Sequence, residues 1–470
     1  MAGKFDVVVI GAGAGGLTAA GGPAMFGLKS AVIEEGEMGG DCLNTGCVPS
    51  KALIAAAHRA HEARVPNRLG VTLADPKVDF SAVMAHVHGA IETIAPVDSQ
   101  ERFEGMGVAV YRGRAKLIDD RTVEVNGERL SAKRIVIATG SRPAIPPIEG
   151  IAAVPYLTSN TLWQIKELPR HLLIIGGGAI GLEMAQSFRR LGSDVTVIEA
   201  FKPLPRDDEE AASLVLDALK AEGVKLVTGV GVSKAAMTGD DISLLLADGT
   251  TITGSHVLIA AGRTANVEGL GLEAAGVSIG KNGIIVDARR RTSNRRIFAI
   301  GDCRDGPRFT HMSGNDGSIV TMNIALGFPA KLDLRALPWV TYTDPELAQI
   351  GLTEADARDQ FGSSVDISRQ DFSHNDRAIA EGDVRGFLKV IRAKGKVVGV
   401  TIVGRGAGEL LLPWAQVITG KASTFGLGGA IVPYPNRSDI SKAAAFAIHE
   451  PAVFGPWSKR WARFVSGMRG

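Results

Sequence analysis

Twelve consecutive residues, Gly40-Asp41-Cys42-Leu43-Asn44-Thr45-Gly46-Cys47-Val48-Pro49-Ser50-Lys51, hold two of the three cysteines of this 470-residue chain. Four residues separate Cys42 from Cys47. A disulfide needs Cα atoms about 4.4–6.8 Å apart. Five steps along a regular helix climb about 7.5 Å at ~1.5 Å each. The pair can bridge only where a helix is distorted or just beginning, and Gly46 makes such distortion cheap. Local, somewhat strained disulfides tend to be the labile, catalytic ones. The segment therefore reads as a thiol–disulfide switch. Its rival chemistry is a metal pair, but zinc wants four ligands, commonly two such pairs. Cys303 is distant and no histidine flanks the motif, so no metal is expected.

The elements that position this switch repeat. Phe5–Ile10 is an apolar strand, followed by Gly11-Ala12-Gly13-Ala14-Gly15-Gly16, a helix-like run to Gly27, and a strand from Ser30 to Ile33 that ends at Glu34. The same unit returns as Leu172–Ile175, Gly176-Gly177-Gly178-Ala179-Ile180-Gly181, a helical run to Leu191, and a strand Asp194–Ile198 ending at Glu199. Gly176 follows Gly11, and Glu199 follows Glu34, by the same 165 residues. Strand, G-x-G-x-x-G, helix, strand, acid is the dinucleotide-binding pattern. Gly11 and Gly176 make the tight turn, Gly13 and Gly178 let a pyrophosphate approach, and Gly16 and Gly181 let helix pack on strand. The helix N-terminus offers free N–H groups to the phosphates, and Glu34 and Glu199 would accept from ribose hydroxyls. Two sites imply two cofactors in relay. The cysteines follow the first copy directly, so that site should hold a flavin and the second a nicotinamide dinucleotide. Glu199 would repel a 2′-phosphate and favours NAD over NADP, with Lys202 and Arg206 close enough to temper the preference.

Composition sets the frame. The length allows about three domains, and 45% hydrophobic residues with 58 glycines suit a large core with many tight turns. A net charge of +2 without a long basic run points to no nucleic-acid partner. Three cysteines cannot make a disulfide framework, which favours a reducing compartment. Met1–Phe5 leads at once into the first strand, leaving no signal region, and no apolar stretch reaches the ~18 residues of a membrane span. A cytoplasmic enzyme with a small-molecule substrate and no membrane partner is expected.

These residues resemble the flavin-dependent class I pyridine nucleotide–disulfide oxidoreductases, the family of dihydrolipoamide dehydrogenase, glutathione reductase and mercuric reductase. The resemblance runs nearly end to end. Ala138-Thr139-Gly140-Ser141 resembles the strand closing the first FAD segment, and Ala261-Gly262-Arg263 the end of the NAD domain. Ile297-Phe298-Ala299-Ile300-Gly301-Asp302 resembles the second FAD motif, its aspartate on the ribityl or phosphate region; read alone, Asp302 is a turn residue. Thr343-Asp344-Pro345-Glu346 falls where the dimerisation domain begins, and Arg377-Ala378 to Lys389 resembles its central sheet.

The resemblance implies an α/β fold: two Rossmann-like domains, for FAD and NAD, plus an α+β C-terminal dimerisation domain. Residues 1–145 and 266–336 would form the FAD domain, 146–265 the NAD domain, and 337–470 the interface domain of a homodimer whose active site is shared between subunits. It also implies the roles. Cys47 would be the charge-transfer thiolate beside the flavin and Cys42 the interchange thiol. Lys51 would lie near flavin N5 with Glu183 as its ionic partner, although alone they read as helix-surface residues. His311 matches a histidine near the flavin pyrimidine ring, here preceded by Phe309-Thr310.

One segment departs from the pattern. Disulfide-reducing members end in His-Pro-Thr-x-Ser-Glu, whose histidine is the base for the interchange thiol. Here it reads Tyr434-Pro435-Asn436-Arg437-Ser438-Asp439. A tyrosine, with a pKa of ~10, is a poor base at neutral pH. His449, a few turns later, is a possible substitute that reads more readily as a surface residue. Mercuric reductase-like members carry tyrosine here, and Arg377-Ala378-Ile379-Ala380 leans the same way. Mercuric reductases proper, however, have a C-terminal cysteine pair, and this chain ends without one. Its last segment, Trp457-Ser458-Lys459-Arg460-Trp461-Ala462-Arg463-Phe464, reads as a packed or interface helix rather than a membrane anchor. The expected activity is dihydrolipoamide dehydrogenase-like electron transfer between NAD(H) and a dithiol or disulfide through FAD. A mercuric reductase-like, quinone or small-electrophile reductase is the alternative, and a binding protein that kept the fold is the non-enzymatic rival.

Overall fold

A computed structural model describes residues 3–65 and 69–468; Met1 and Ala2, where the chain was read as lacking a signal region, lie outside them. The chain forms two compact units. One comprises Met1–Glu62, Pro76–Phe201 and Val227–Leu332; the other comprises Ala63–Asp75, Lys202–Leu226 and Asp333–Gly470.

In the first unit, β1 (Gly3–Ile10), β2 (Ser30–Glu34), β3 (Val108–Arg112), β4 (Ala115–Leu117), β5 (Thr122–Val125) and β6 (Glu128–Ile137) share one sheet in the order β3-β2-β1-β6-β5-β4. Ile297–Ala299 adds to β6 in parallel. The run of apolar residues in β1 is unbroken because both faces are covered. Val8 and Ile10 enter one core with Ile33, Ile135 and Ile137, whereas Val7 and Val9 enter another with Leu17, Val32, Val136 and Val320. Buried parallel strands carry continuous rather than alternating apolar sequence. In a second, five-stranded sheet, four parallel strands follow in the order Asp194–Glu199, His171–Ile175, His256–Ile259 and Tyr156–Leu157. Both sheets carry the strand–glycine–helix unit read from the 165-residue offset.

Helix α1 (Ala14–Met25) follows β1, and α2 (Gly40–Asn44) and α3 (Cys47–Arg64) follow β2. Helix Thr310–Ala325 packs on α1 through its small residues. A Cβ on Gly15 would lie 2.4 Å from Ser313 Oγ, and one on Gly317 2.7 Å from the Gly15 carbonyl oxygen. This close contact brings the N-terminus of Thr310–Ala325 back to the first glycine motif.

Strands Ser141–Pro143 and Arg263–Ala265 form an antiparallel ribbon, Pro143 opposite Arg263 and Ser141 opposite Ala265. It ties together the two ends of the stretch read as the NAD domain. One local expectation shifts: residues 138–140 are not strand, because β6 stops at Ile137 and Gly140 (φ 68°) turns the chain before Ser141 opens the next short strand.

The second unit is built on a five-stranded antiparallel sheet in the order Pro338–Thr341, Glu346–Gly351, Lys396–Gly404, Phe387–Ala393, Val365–Asp371. Helices Leu412–Ile418 and Asp439–Ala447 cover it, burying Trp414, Ile440 and Ala444 against Phe372, Leu388 and Val400. Of the stretch read as central sheet, residues 376–380 are instead a helical turn that Asn375 caps at Ala378 N. Lys202–Leu226, expected in the NAD domain, groups with this unit. Buried Lys389 donates to Asp208 (2.9 Å) and Glu354 (3.1 Å), and Trp339 Nε1 donates to Asp207 (2.8 Å).

Candidate active site

The two glycine motifs agree position by position. Gly11 (φ 104°) and Gly176 (φ 119°) hold left-handed backbone, and a Cβ on either would lie 2.3 Å from Ala138 O or 2.5 Å from Ala260 O. A Cβ on Gly16 or Gly181 would meet the carbonyl oxygen of its own motif's first glycine at 1.9 or 2.0 Å. Those four glycines are required by the fold. Gly13 and Gly178 are different. They cap their helices in an extended conformation open to any residue, and a Cβ there would meet nothing within 4 Å. Nothing among the described residues demands glycine at these two places, whereas a pyrophosphate drawn to the helix N–H groups would. The cradle therefore fits a dinucleotide in both copies.

Both terminal acids also pin their glycine loops. Glu34 accepts from Ala12 N (2.5 Å) and Gly36 N (2.7 Å), and Glu199 accepts from Gly177 N (2.6 Å) and Phe201 N (2.9 Å). Lys202, read as tempering NAD preference, donates to Glu209 at 2.7 Å.

The cysteine segment is stitched to the first loop, Gly39 N donating to Ala12 O at 3.0 Å. The helix breaks between Asn44 and Cys47, so Cys47 opens α3. Both cysteines are free thiols, Cys47 exposed and Cys42 half-buried. They share a proton unequally. The hydrogen bond from Cys42 brings the Cys47 thiol down to about 6, aided by the Thr310 hydroxyl and Lys51 against burial and Glu183. The same hydrogen bond, burial and the neighbouring charge push Cys42 far up. Only a thiolate attacks a disulfide or ligates a soft metal, so one of the pair is ready near neutral pH.

Around the thiols, Lys51 Nζ lies 2.9 Å from Glu183 Oε2 on buried helix Ala179–Leu191. The hydroxyl of Thr310 lies 3.2 Å from Cys47 Sγ. His311 is exposed in the first turn of its helix, stacked on Phe309 at 5.2 Å. Asp302 accepts from Ser141 Oγ at 2.8 Å, and Arg263 reaches Ser141 Oγ (2.6 Å), Asp302 (3.8 Å) and the Asp41 carboxylate of the cysteine segment. Thr139 Oγ1 donates to Asn266 O at 2.6 Å, fastening the loop that contains Gly140. Gly262 turns the chain just before Arg263.

Five residues escaped the sequence reading: Thr310, Trp163, Arg263 as an anchor, Asp316 and Asp376. Trp163 Nε1 donates to Thr45 O at 2.8 Å, holding the cysteine loop from within the insertion. Buried Asp316 accepts from Gly301 N (3.2 Å) and Arg304 (2.7 Å) and pairs with Arg290 (2.8 Å), fixing the turn before Asp302. Two of them had a local signal, Thr310 as neighbour of His311 and Arg263 as the last residue of Ala261-Gly262-Arg263.

Tyr434 lies in the second unit on an exposed loop. Its hydroxyl donates to Asp376 at 2.7 Å, which raises its pKa further. Asp439, placed by sequence at the family's glutamate, is not its hydrogen-bond partner; it begins helix Asp439–Ala447 and faces Asn436 N. The loop is tied down by Asn375 to Asn436 O (3.1 Å) and Arg437 to Glu381 (2.8 Å). His449 meets Thr424 Oγ1 at 2.8 Å and the edge of Phe425. Among the described residues, no group of three or more His, Cys, Asp or Glu side chains is gathered to hold a metal.

The pyridine nucleotide-disulphide oxidoreductase family profile matches residues 5–317, and that of its dimerisation domain matches residues 337–445. The chain belongs to this family. A dihydrolipoyl dehydrogenase from Thermus scotoductus is 37% identical over 460 residues, covering 96% of this chain and 98% of that protein. A mercuric reductase from Lysinibacillus sphaericus is 34% identical over 453 residues, covering 94% and 82%. Among solved structures, LpdA from Mycobacterium tuberculosis superposes with a TM-score of 0.87 at 28% identity, covering 95% of this chain and 99% of that one. The HOCl-induced flavoprotein disulfide reductase RclA from Escherichia coli, as its Cu(II) complex, gives 0.84 at 27%, covering 93% and 98%. This pyridine nucleotide-disulphide oxidoreductase is thus an FAD-dependent enzyme using NAD(P)H, and its dimerisation domain indicates a homodimer. No described helix is long and apolar enough to cross a membrane.

Proposed function

We propose that this enzyme moves an electron pair between NAD(H) and a dithiol or disulfide of the lipoamide class, through FAD and the Cys42–Cys47 pair. The observation that carries the reading is the Cys47 thiolate, poised at about 6 between Cys42, Thr310 and Lys51 directly behind the first glycine loop. Gly11, Gly13 and Gly16 with Glu34, Thr139, Gly140, Asp302 and His311 would hold FAD. Gly176, Gly178, Gly181, Glu199 and Gly262 would hold the nicotinamide dinucleotide. Bound there, the flavin supplies two-electron exchange between nicotinamide and sulfur. In the reductive direction, the Cys42–Cys47 bond breaks as two electrons and one proton arrive, leaving a Cys42 thiol and a Cys47 thiolate. Cys42, once deprotonated, attacks the substrate disulfide and expels one thiolate. Cys47 then attacks Cys42, which re-forms the bond and releases the reduced dithiol. Lys51, held by Glu183, favours negative charge on Cys47 throughout. Glu199 supports NAD over NADP, since its carboxylate would repel a 2′-phosphate.

Residues 1–145 and 266–336 would bind FAD, 146–265 NAD, and 337–470 would form the interface, so that Tyr434 joins the partner's redox centre. The scarcity of cysteine supports a reducing, cytoplasmic setting. A second reading rests on Tyr434. A phenol whose proton is committed to Asp376 is a weak base for Cys42, but suits a soft metal ion or small electrophile that needs no proton removed. Steady-state turnover of NADH against lipoamide, Hg²⁺ and a soluble quinone separates the two. Full-strength lipoamide turnover lost on Cys42→Ser upholds the first reading, whereas turnover confined to Hg²⁺ or quinone replaces it with the second.

A further inference from the structure

The last helix, Pro456–Met468, has no buried residue. The sequence suggested a packed or interface helix, and among the described residues of this chain it does not pack. Trp457, Trp461, Phe464 and Met468 follow one another at offsets of four, three and four, which places them on one helical face. All four are between 56% and 81% exposed, with the rings of Trp461 and Phe464 5.7 Å apart. Helix Asp439–Ala447, just before it, hides Ile440, Ala444 and Ala445 as a surface helix ordinarily does. Lys459, Arg460 and Arg463 occupy other positions of the same helix.

Charge indicates what covers this face. From Pro451 to the C-terminus there are four Lys or Arg residues and no Asp or Glu. The remainder of the chain carries two more acids than bases. A twofold contact of this face with itself would set the same cations against each other, and the nearly neutral remainder of the chain supplies little long-range attraction for them. The helix also lies beyond the matched dimerisation domain, which ends at residue 445, so within the interface region proposed for residues 337–470 the contact between subunits would be made before this helix. An anionic lipid surface meets both requirements at once. Tryptophan and phenylalanine sit at the headgroup boundary, and Lys and Arg meet the phosphates beside them. At ~1.5 Å per residue, thirteen residues extend about 20 Å, too short to span a hydrocarbon core of about 30 Å but suited to lying along it.

We propose that helix Pro456–Met468 seats this enzyme on an anionic bilayer surface, with the Trp457–Trp461–Phe464–Met468 face among the acyl chains and Lys459, Arg460 and Arg463 at the phosphates. The contact is peripheral and reversible by salt.

The test is flotation of the FAD-loaded, full-length protein with vesicles of phosphatidylglycerol and phosphatidylcholine, or of phosphatidylcholine alone. The protein should float with the anionic vesicles only, shift its tryptophan emission to the blue, and be released by 0.5 M salt. Trp457→Ser/Trp461→Ser should abolish flotation. Lys459→Gln/Arg460→Gln/Arg463→Gln should weaken it about a hundredfold, at roughly fivefold per cation. NADH-dependent flavin reduction and the sedimentation mass should stay unchanged in both variants. Failure of the wild-type protein to float, or flotation indifferent to both sets of substitutions, overturns the proposal. So does loss of the dimer in the Trp457→Ser/Trp461→Ser variant, which would make the face a contact between copies.

Discussion

The hydroxyl of Thr310 lies 3.2 Å from the sulfur of Cys47, two groups 263 residues apart in the chain. With Cys47 ionised, the hydroxyl must be the donor, and the bond favours the thiolate. Thr310→Val should raise the Cys47 pKa from about 6 by one to two units, since a hydrogen bond to a charged group contributes about 1.5–3 kcal/mol. The sign is definite: thiolate is present above the folded pKa, so alkylation of Cys47 at pH 6.5 should slow in the variant and recover above pH 8. Thr310→Ser should behave as wild type. Iodoacetamide rates with peptide mapping measure this, and an unshifted profile in Thr310→Val would remove Thr310 from the site.

Lys51 and Glu183 form a half-buried ion pair between the cysteine helix and the second glycine helix. Lys51→Met leaves the Glu183 carboxylate buried without that partner and should destabilise the enzyme by about 1–2 kcal/mol, less than for a fully buried pair because Lys51 reaches solvent. Removing both charges with Lys51→Met/Glu183→Leu should restore part of the loss. Chemical denaturation of the three proteins compares them; a double variant no more stable than the single one contradicts the pairing.

Gly178 and Gly181 sit three residues apart and should fail differently. Gly178→Ala places a methyl in open space, so the protein should fold with a full complement of FAD while its KM for NADH rises at least about tenfold. Gly181→Ala drives a Cβ to 2.0 Å from Gly176 O and should cost about 3 kcal/mol. Flavin content, melting and NADH kinetics distinguish the two. Equal stability loss in both variants would mean that Gly178 serves the fold and not a ligand.

Tyr434→His restores a group that titrates near neutrality. If this loop serves Cys42, lipoamide turnover at pH 7 should rise about 10²-fold or more, with a pH profile centred near 6.5. Asp376→Asn in the wild-type background should instead lower the Tyr434 pKa, because the carboxylate stabilises the protonated phenol. Absorbance titration near 295 nm reports the second effect. Absence of any gain in Tyr434→His would detach this position from dithiol chemistry.

Local requirements were legible before the fold was seen. The third glycine of each motif answers to the carbonyl of the first, five residues before it, so their spacing survives as sequence. Contacts made by folding were not legible. Trp163 reaches Thr45, Thr310 reaches Cys47 and Asp376 reaches Tyr434 across 118, 263 and 58 residues. No periodicity encodes such meetings; the packing of whole helices and sheets creates them. The same holds for the grouping of residues 202–226 with the second unit, since buried Lys389 meets Asp208 across 181 residues. Tyr434 shows a subtler limit. The motif places Asp439 where the family has its glutamate, whereas the hydroxyl of Tyr434 meets Asp376 from an earlier turn.

The ribbon between Ser141–Pro143 and Arg263–Ala265 brings the way into the insertion and the way out of it side by side. A gene carrying only the seven-stranded sheet could have received the intervening segment at this one point without unpairing a strand, and could shed it again by the same door. Two copies of one ancestral module, the younger lodged within the elder, would then account for a 165-residue echo that otherwise has no reason to keep time.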